Sequence, residues 1–349
     1  MGFDNGRREF IKKSLILGLG IYGITKMSGL FSAEAASSDS TVVIARDSTV
    51  IDDNLKSNYA IIRKMLDDSL MKLAGTRNST DAWKKYFRTD DIVGIKINTL
   101  SGKMMSSSPE LVMAIVEGLR SAKVKDILIW DKSDDDLQRA GYKINRKSTN
   151  DPRCFGTLPD IGYENDVTVY ESVASRLSRI LSYCTAFVNV PVLKHHTMAG
   201  VTLSLKNWFG AINNPHKYHF EMKGDSKVHV ASCKYIPDLN SMIFSQLGKK
   251  QLVICDAIMA QYDSGPGYTP GKTWKYSGLI LSTDPVALDR IGTQIIEKRR
   301  QTAGLEPLAK TGREPEYISI ASDRYHNLGT DDISKIDLIS AGKISPDIL

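Results

Sequence analysis

The chain has 349 residues, a quarter of them charged, and a formal net charge of +6. This is the composition of a soluble globular protein, long enough to bury a sizeable core without disulfides or a structural metal. Five basic and three acidic residues fall in the first 36, so the remainder carries about +4 without long basic runs, which is too mild for a nucleic-acid binder and compatible with a small anionic ligand.

In chain order, Gly6-Arg7-Arg8-Glu9-Phe10-Ile11-Lys12-Lys13 matches the twin-arginine export pattern. An uncharged stretch, Ser14–Thr25, follows, and it is too short to span a bilayer as a helix. Ala33-Glu34-Ala35 then offers an A-x-A cleavage site. Residues 1–35 are therefore expected to be a signal peptide read by the twin-arginine translocation machinery, and the working protein to be periplasmic or otherwise extracytoplasmic. Residues 36–349 are expected to form one α/β domain, with length enough for two lobes.

Hydrophobic runs set the expected elements of that domain. Strands are predicted at Thr41–Ala45, Ile92–Ile97, Ile127–Trp130, Val167–Tyr170, Ala186–Val192, Leu252–Cys255 and Ser277–Leu281. Helices are predicted at Leu55–Leu73, from Ser106-Ser107-Ser108-Pro109 to Ala122, and at Ser175–Ser182, Val201–Phe209, Ile236–Leu247 and Pro285–Arg300, the last capped by Asp284. Leu137–Asn165 reads as an insertion or long loop over the site, and Ile212–Cys233 as a second irregular stretch. Alternating strands and helices predict an α/β fold, a mostly parallel, doubly wound sheet with helices on both faces.

Ligands of open parallel sheets sit beyond the carboxyl ends of the strands. Asn98, Asp131, Lys194-His195-His196 and Asp256 each end or follow a predicted strand, so parallel neighbours would bring them to one edge. Asp131, Lys194, His195 and Asp256 are the candidate catalytic groups, as bases, proton carriers or anion clamps. Asn98, Ser108, Thr202, Lys206 and Asn207 are the candidate substrate-binding groups: Thr202 and Lys206 are four apart, and Ser108 stands at a helix start whose amides are free.

His195, His196, His216 and His219 are the candidate metal ligands, because neutral imidazoles at short spacing suit a divalent metal ion; the alternative is that they line a polar groove. Adjacent His195 and His196 on extended backbone would face opposite sides, so one of them would enter a given site. Cys154, Cys184, Cys233 and Cys255 form no C-x-x-C pair, which argues against an iron–sulfur cluster within this chain. Gly265-Pro266-Gly267 reads as a turn or lid. No dinucleotide, nucleoside-triphosphate or serine-hydrolase motif is present in the sequence.

The runs Val190-Pro191-Val192-Leu193-Lys194-His195-His196 and Gly200-Val201-Thr202-Leu203-Ser204-Leu205-Lys206-Asn207-Trp208-Phe209-Gly210 closely resemble the signature of the family catalogued as domain of unknown function 362. So do Asp256 followed by Gly265-Pro266, and Asp284-Pro285-Val286-Ala287-Leu288-Asp289. The resemblance runs from about Val42 to Ile333. Many members look like fusions to iron–sulfur modules, which implies redox chemistry and, for this chain, an iron–sulfur or haem redox partner in place of its own cluster. The layout is also similar, more weakly, to the nickel-pincer lactate racemase family, which implies acid–base work for Lys194 with His195 or His196. The expectation is an exported enzyme, redox-related or metal-assisted, acting on a small anionic substrate. The alternatives are a non-catalytic metal- or anion-binding protein and an accessory factor of an exported redox complex.

Overall fold

Alternation along the first strand decides the layering of the molecule. In β1 (Ser40–Arg46), Val42 and Ile44 enter one core and Val43 and Ala45 the other, all fully buried. A strand apolar on both faces must be covered on both. The computed structural model describes residues 40–147, 151–222, 229–231 and 233–342; the expected signal peptide lies outside the described residues.

The remaining strands are β2 (Ile92–Ile97), β3 (Asp126–Trp130), β4 (Arg153–Cys154), β5 (Thr168–Tyr170), β6 (Val173–Ser175), β7 (Ala186–Val190), β8 (Val192–His196), β9 (Gly200–Thr202), β10 (Phe220–Met222), β11 (His229–Ala231), β12 (Lys250–Gln261), β13 (Thr273–Ser282) and β14 (Ile336–Ala341). The main sheet runs β14-β1-β13-β12-β7-β2-β3-β4, with β8 pairing β12 and β9 pairing β8. Pairings are parallel except around β13, which runs against β1 and β12, and in the β8–β9 hairpin. The fold is α/β, a mixed sheet of mostly parallel strands with helices around it.

Helices Tyr59–Ala74, Ser79–Tyr86 and Pro109–Ser121 bring Ile62, Leu66, Trp83, Leu111 and Ile115 to one face of the sheet. Helices Pro285–Thr302 and Ile236–Ser241 bring Val286, Ile291 and Leu239 to the other, where Trp130, Phe187 and Trp208 also pack. The first helix begins at Tyr59, later than the periodicity predicts, because the Asn58 side chain accepts from the amides of Ala60 and Ile61. Asp284 caps the Pro285 helix as expected, accepting from Val286 N and Ala287 N.

Several expectations change. The run Ala186–Val192 is two strands, because Pro191 has no amide to continue the ladder and its carbonyl instead accepts from Asp256 N at 2.8 Å. Lys194, His195 and His196 therefore lie within β8 and not beyond a strand end. Val201–Phe209 is not one helix: it is β9, the turn of helix Ser204–Asn207, and a 3₁₀ turn. Among the described residues, the predicted strand near Val167 pairs only with β6, apart from the main sheet. Leu252–Cys255 extends to Gln261, so Asp256 sits in mid-strand.

Candidate functional site

Apolar strands that run into polar residues build a cavity of about 160 Å³. Its wall includes Lys96, Asn98, Asp131, His196, Thr202, Lys206, Asn207, Phe209, Gly210, His216 and His219. β2 explains the first of these. Val93, Ile95 and Ile97 pack on the face covered by the Pro109 helix, so alternation sends Lys96 to the opposite face, where it is 1% exposed. There its Nζ donates to Asp131 Oδ1 at 2.7 Å and to Ile97 O at 2.8 Å. Asp131 Oδ2 accepts from Thr99 N at 2.9 Å and Thr99 Oγ1 at 2.6 Å. Gly210 closes over this pair. A Cβ there would stand 2.7 Å from Asp131 Oδ1 and 3.0 Å from Lys96 Nζ.

A second lysine is held without a carboxylate. Lys194 Nζ donates to Asn98 Oδ1 at 2.9 Å, Ser101 Oγ at 2.9 Å and Met105 O at 3.1 Å. A lysine only donates, so Asn98 must present its oxygen here and its amide group to Asn207 Oδ1, at 3.1 Å. Asn207 in turn donates to Asn189 Oδ1 at 2.8 Å, and Asn189 to Ser204 O at 2.9 Å. Burial pushes the Lys194 ammonium down to about 7, with the Asp131 charge opposing.

Lys206, the third lysine, is the one least satisfied. Its Nζ donates to His219 Nε2 at 2.9 Å and stands 3.6 Å from the centroid of the Phe209 ring. Burial pushes it down to about 8. His219 donates from Nδ1 to Pro215 O at 3.0 Å, which leaves Nε2 as the acceptor and the ring neutral. Burial and the Lys206 charge push this imidazole down to about 3.

His196 stacks on His219 with ring centroids 5.6 Å apart. Its Nδ1 accepts from Met198 N at 3.1 Å and Ala199 N at 3.2 Å, so its Nε2–H is the donor left for the cavity. Burial and then Lys206 lower its pKa as well. Thr202 Oγ1 is buried with no hydrogen-bond partner among the described residues.

The sequence-predicted residues separate into groups. Asn98, Asp131, His196, Thr202, Lys206, Asn207, His216 and His219 share the cavity, His216 at its exposed rim, and Lys194 bonds to it through Asn98. His195 does not join them. It shares its side of β8 with Leu193, accepts at Nδ1 from Gly265 N at 3.1 Å, and has a buried Nε2 without a hydrogen-bond partner among the described residues. Its pKa is pushed down to about 4 by burial and then by Arg300.

Asp256 and Ser108 also lie elsewhere. Along β12, Asp256 shares a side with Leu252, Ile254 and Ile258, the side packed by the Pro109 helix. It accepts from Ser108 N and Ser108 Oγ, each at 2.8 Å, beside a second cavity of about 410 Å³ lined by Met104, Met105 and Met259. Burial raises the Asp256 carboxyl.

Of the four histidines expected as a ligand set, His196, His216 and His219 come to the cavity and His195 does not. His195 is turned away, and both nitrogens of His219 are already hydrogen-bonded. No group of three or more His, Cys, Asp or Glu side chains among the described residues is placed to hold a metal ion. With His195 turned away and both His219 nitrogens engaged, the described residues around the cavity do not fit a metal centre.

Lys96 is the cavity side chain that hydrophobic runs alone do not single out. The signal was present: a lysine inside Ile92-Val93-Gly94-Ile95-Lys96-Ile97, an otherwise uncharged strand. The four cysteines are free and buried, as inert thiols would be.

Comparison with curated proteins returns no match. Among solved structures, the chain is similar to a protein of Thermotoga maritima, at 14% identity and a TM-score of 0.40, covering 64% of this chain and 58% of that one. It is also similar to the lactate racemase apoprotein of Thermoanaerobacterium thermosaccharolyticum, at 10% identity and a TM-score of 0.45, covering 73% and 57%. The chain thus spans less than two thirds of the length of either protein. The family model described as "Domain of unknown function (DUF362)" matches residues 93–294, a span that holds every wall residue of the cavity. The chain belongs to that family.

Proposed function

We propose that the cavity binds a small organic anion and that the protein is an enzyme performing acid–base chemistry on it. The observation that carries the reading is Lys206. It is 6% exposed, lines the cavity, and has no carboxylate partner among the described residues. A buried ammonium without a counter-charge is costly, and a ligand carboxylate placed beside it would remove that cost. Thr202 Oγ1 and His196 Nε2 supply neutral donors on the same wall. Lys206 with a pKa near 8 is matched to moving a proton close to neutral pH. Export by the twin-arginine route belongs to the same proposal, supported by Arg7-Arg8 and Ala33-Glu34-Ala35. An iron–sulfur or haem protein met outside the cytoplasm is the partner that redox chemistry on this ligand would draw on.

The test is calorimetric titration with glycolate and with succinate, paired with NMR detection of deuterium entering the bound acid from heavy water. Binding is expected, and Lys206→Gln should weaken it about tenfold or more, the worth of one charge-assisted hydrogen bond. Equal binding by the Lys206→Gln variant would remove the anion site. Binding without deuterium exchange would leave a binding protein and not an enzyme.

A further inference from the structure

We propose that Lys206 is a nucleophilic amine that captures a small aldehyde or ketone acid as a Schiff base. The inference rests on the organic-anion reading of the cavity and names its substrate class: an acid carrying a carbonyl group next to, or near, its carboxylate.

The three buried lysines differ in how their amines are used. Lys96 is committed to an ion pair with Asp131 and a bond to Ile97 O. Lys194 has three donors and three acceptors, so no position on its nitrogen is open. Among the described residues Lys206 has one hydrogen-bond partner, His219 Nε2, and its nitrogen also faces the Phe209 ring and the cavity. His219 Nε2 is kept an acceptor by the bond from its Nδ1 to Pro215 O, so it holds the amine in place without donating to its lone pair.

The cavity volume of about 160 Å³ suits a small ligand. The unpartnered Thr202 hydroxyl and His196 Nε2–H are donors for the ligand's carboxylate. Burial pushes Lys206 down to about 8, which makes free amine available near neutral pH.

The step balances without an oxidant or reductant. The Lys206 ammonium releases one proton to solvent, and its lone pair attacks the carbonyl carbon while the C=O π pair moves to oxygen. A proton passes from nitrogen to that oxygen, giving a carbinolamine. One proton then returns from solvent, the C–O bond breaks, water leaves, and the nitrogen pair forms C=N. Ammonium plus carbonyl has become iminium plus water, and the positive charge in the cavity is conserved.

The experiment incubates the full chain with glyoxylate and sodium cyanoborohydride and maps the reduced adduct by peptide mass spectrometry, with glycolate as the carbonyl-free analogue. The adduct is expected to concentrate on Lys206, about tenfold or more over any other lysine, to form faster as the pH passes about 8, and to be slowed by glycolate. Lys206→Arg should lose the adduct, with glycolate binding read on the wild-type chain. The wild-type map alone decides the point if that variant does not fold. Glycolate bound with Lys206 unmodified overturns the Schiff base and leaves the anion site standing. Neither glycolate binding nor an adduct overturns both.

Discussion

At the scale of single residues, the site is a comparison of three lysines held in three ways. Lys96 faces a carboxylate, Lys194 faces neutral acceptors, and Lys206 faces an imidazole and an aromatic ring. The last two gain too little to offset their burial, and their pKa values fall from 10.5 to about 7 and about 8. In the unfolded chain both stay protonated up to about their ordinary value. The folded chain has released those protons well below it. Between about pH 7 and 10.5 the unfolded state therefore binds more protons, and stability from these two groups rises with pH. Below that window both are charged in both states, and the full burial cost remains. Asp289, whose carboxyl burial raises to about 7, acts with the opposite sign but below the window. Urea unfolding of the wild type should thus strengthen between about pH 7 and pH 10 relative to a Lys194→Met, Lys206→Met double variant. Parallel curves for the two proteins would contradict the burial argument.

At the scale of elements, β8 carries the site and is held from behind by the loop after β12. Gly265 N donates to His195 Nδ1, Thr197 N donates to Gly265 O, and Gln261 Nε2 donates to Gly267 O. A Cβ at Gly265 would lie 1.8 Å from the carbonyl oxygen of His195, a backbone atom that cannot swing aside. Gly265→Ala is therefore expected to cost about 1–3 kcal/mol and to weaken glycolate binding through displacement of β8. Urea unfolding and calorimetry on the same variant check both. Unchanged stability would mean that the loop does not clasp the strand.

This element also shows where the sequence stops being legible. β2 and β3 are readable as apolar runs, and the cap at Asp284 follows from side-chain chemistry, whereas the cap at Asn58 starts its helix later than the periodicity does. The β8–β9 hairpin is not readable, because Val201, Leu205 and Trp208 repeat at helical spacing while the chain actually turns from strand to helix between them. Asp256 misleads for a related reason. A charged residue after four apolar ones resembles a strand end, but β12 continues through it, and its carboxylate is satisfied by Ser108 and by Ile258 N.

At the scale of the whole molecule, the polar residues that end or interrupt the strands divide between the two faces of the sheet. Face is decided by register, which hydrophobic runs do not reveal. Lys96 and Asp131 meet at the small cavity, while Asp256 belongs to the face covered by the Pro109 helix. The same topology bears on export. β1 begins at Ser40, just beyond the expected cleavage site, and its two neighbours are β13 and β14, which lie at the far end of the described chain. Among the described residues, the first strand after the proposed leader therefore has no partner until β13 and β14 have been synthesised. A chain threaded unfolded through a membrane would have to form these pairings outside. A route that carries folded proteins lets them form before passage. Arg7→Lys with Arg8→Lys should then leave the protein folded and soluble in the cytoplasm, with the leader uncleaved and glycolate binding intact. Cell fractionation with mass measurement of the N-terminus reads this directly. Equal amounts of cleaved protein outside the cytoplasm in the doubly substituted and native chains would show that export does not depend on the arginine pair.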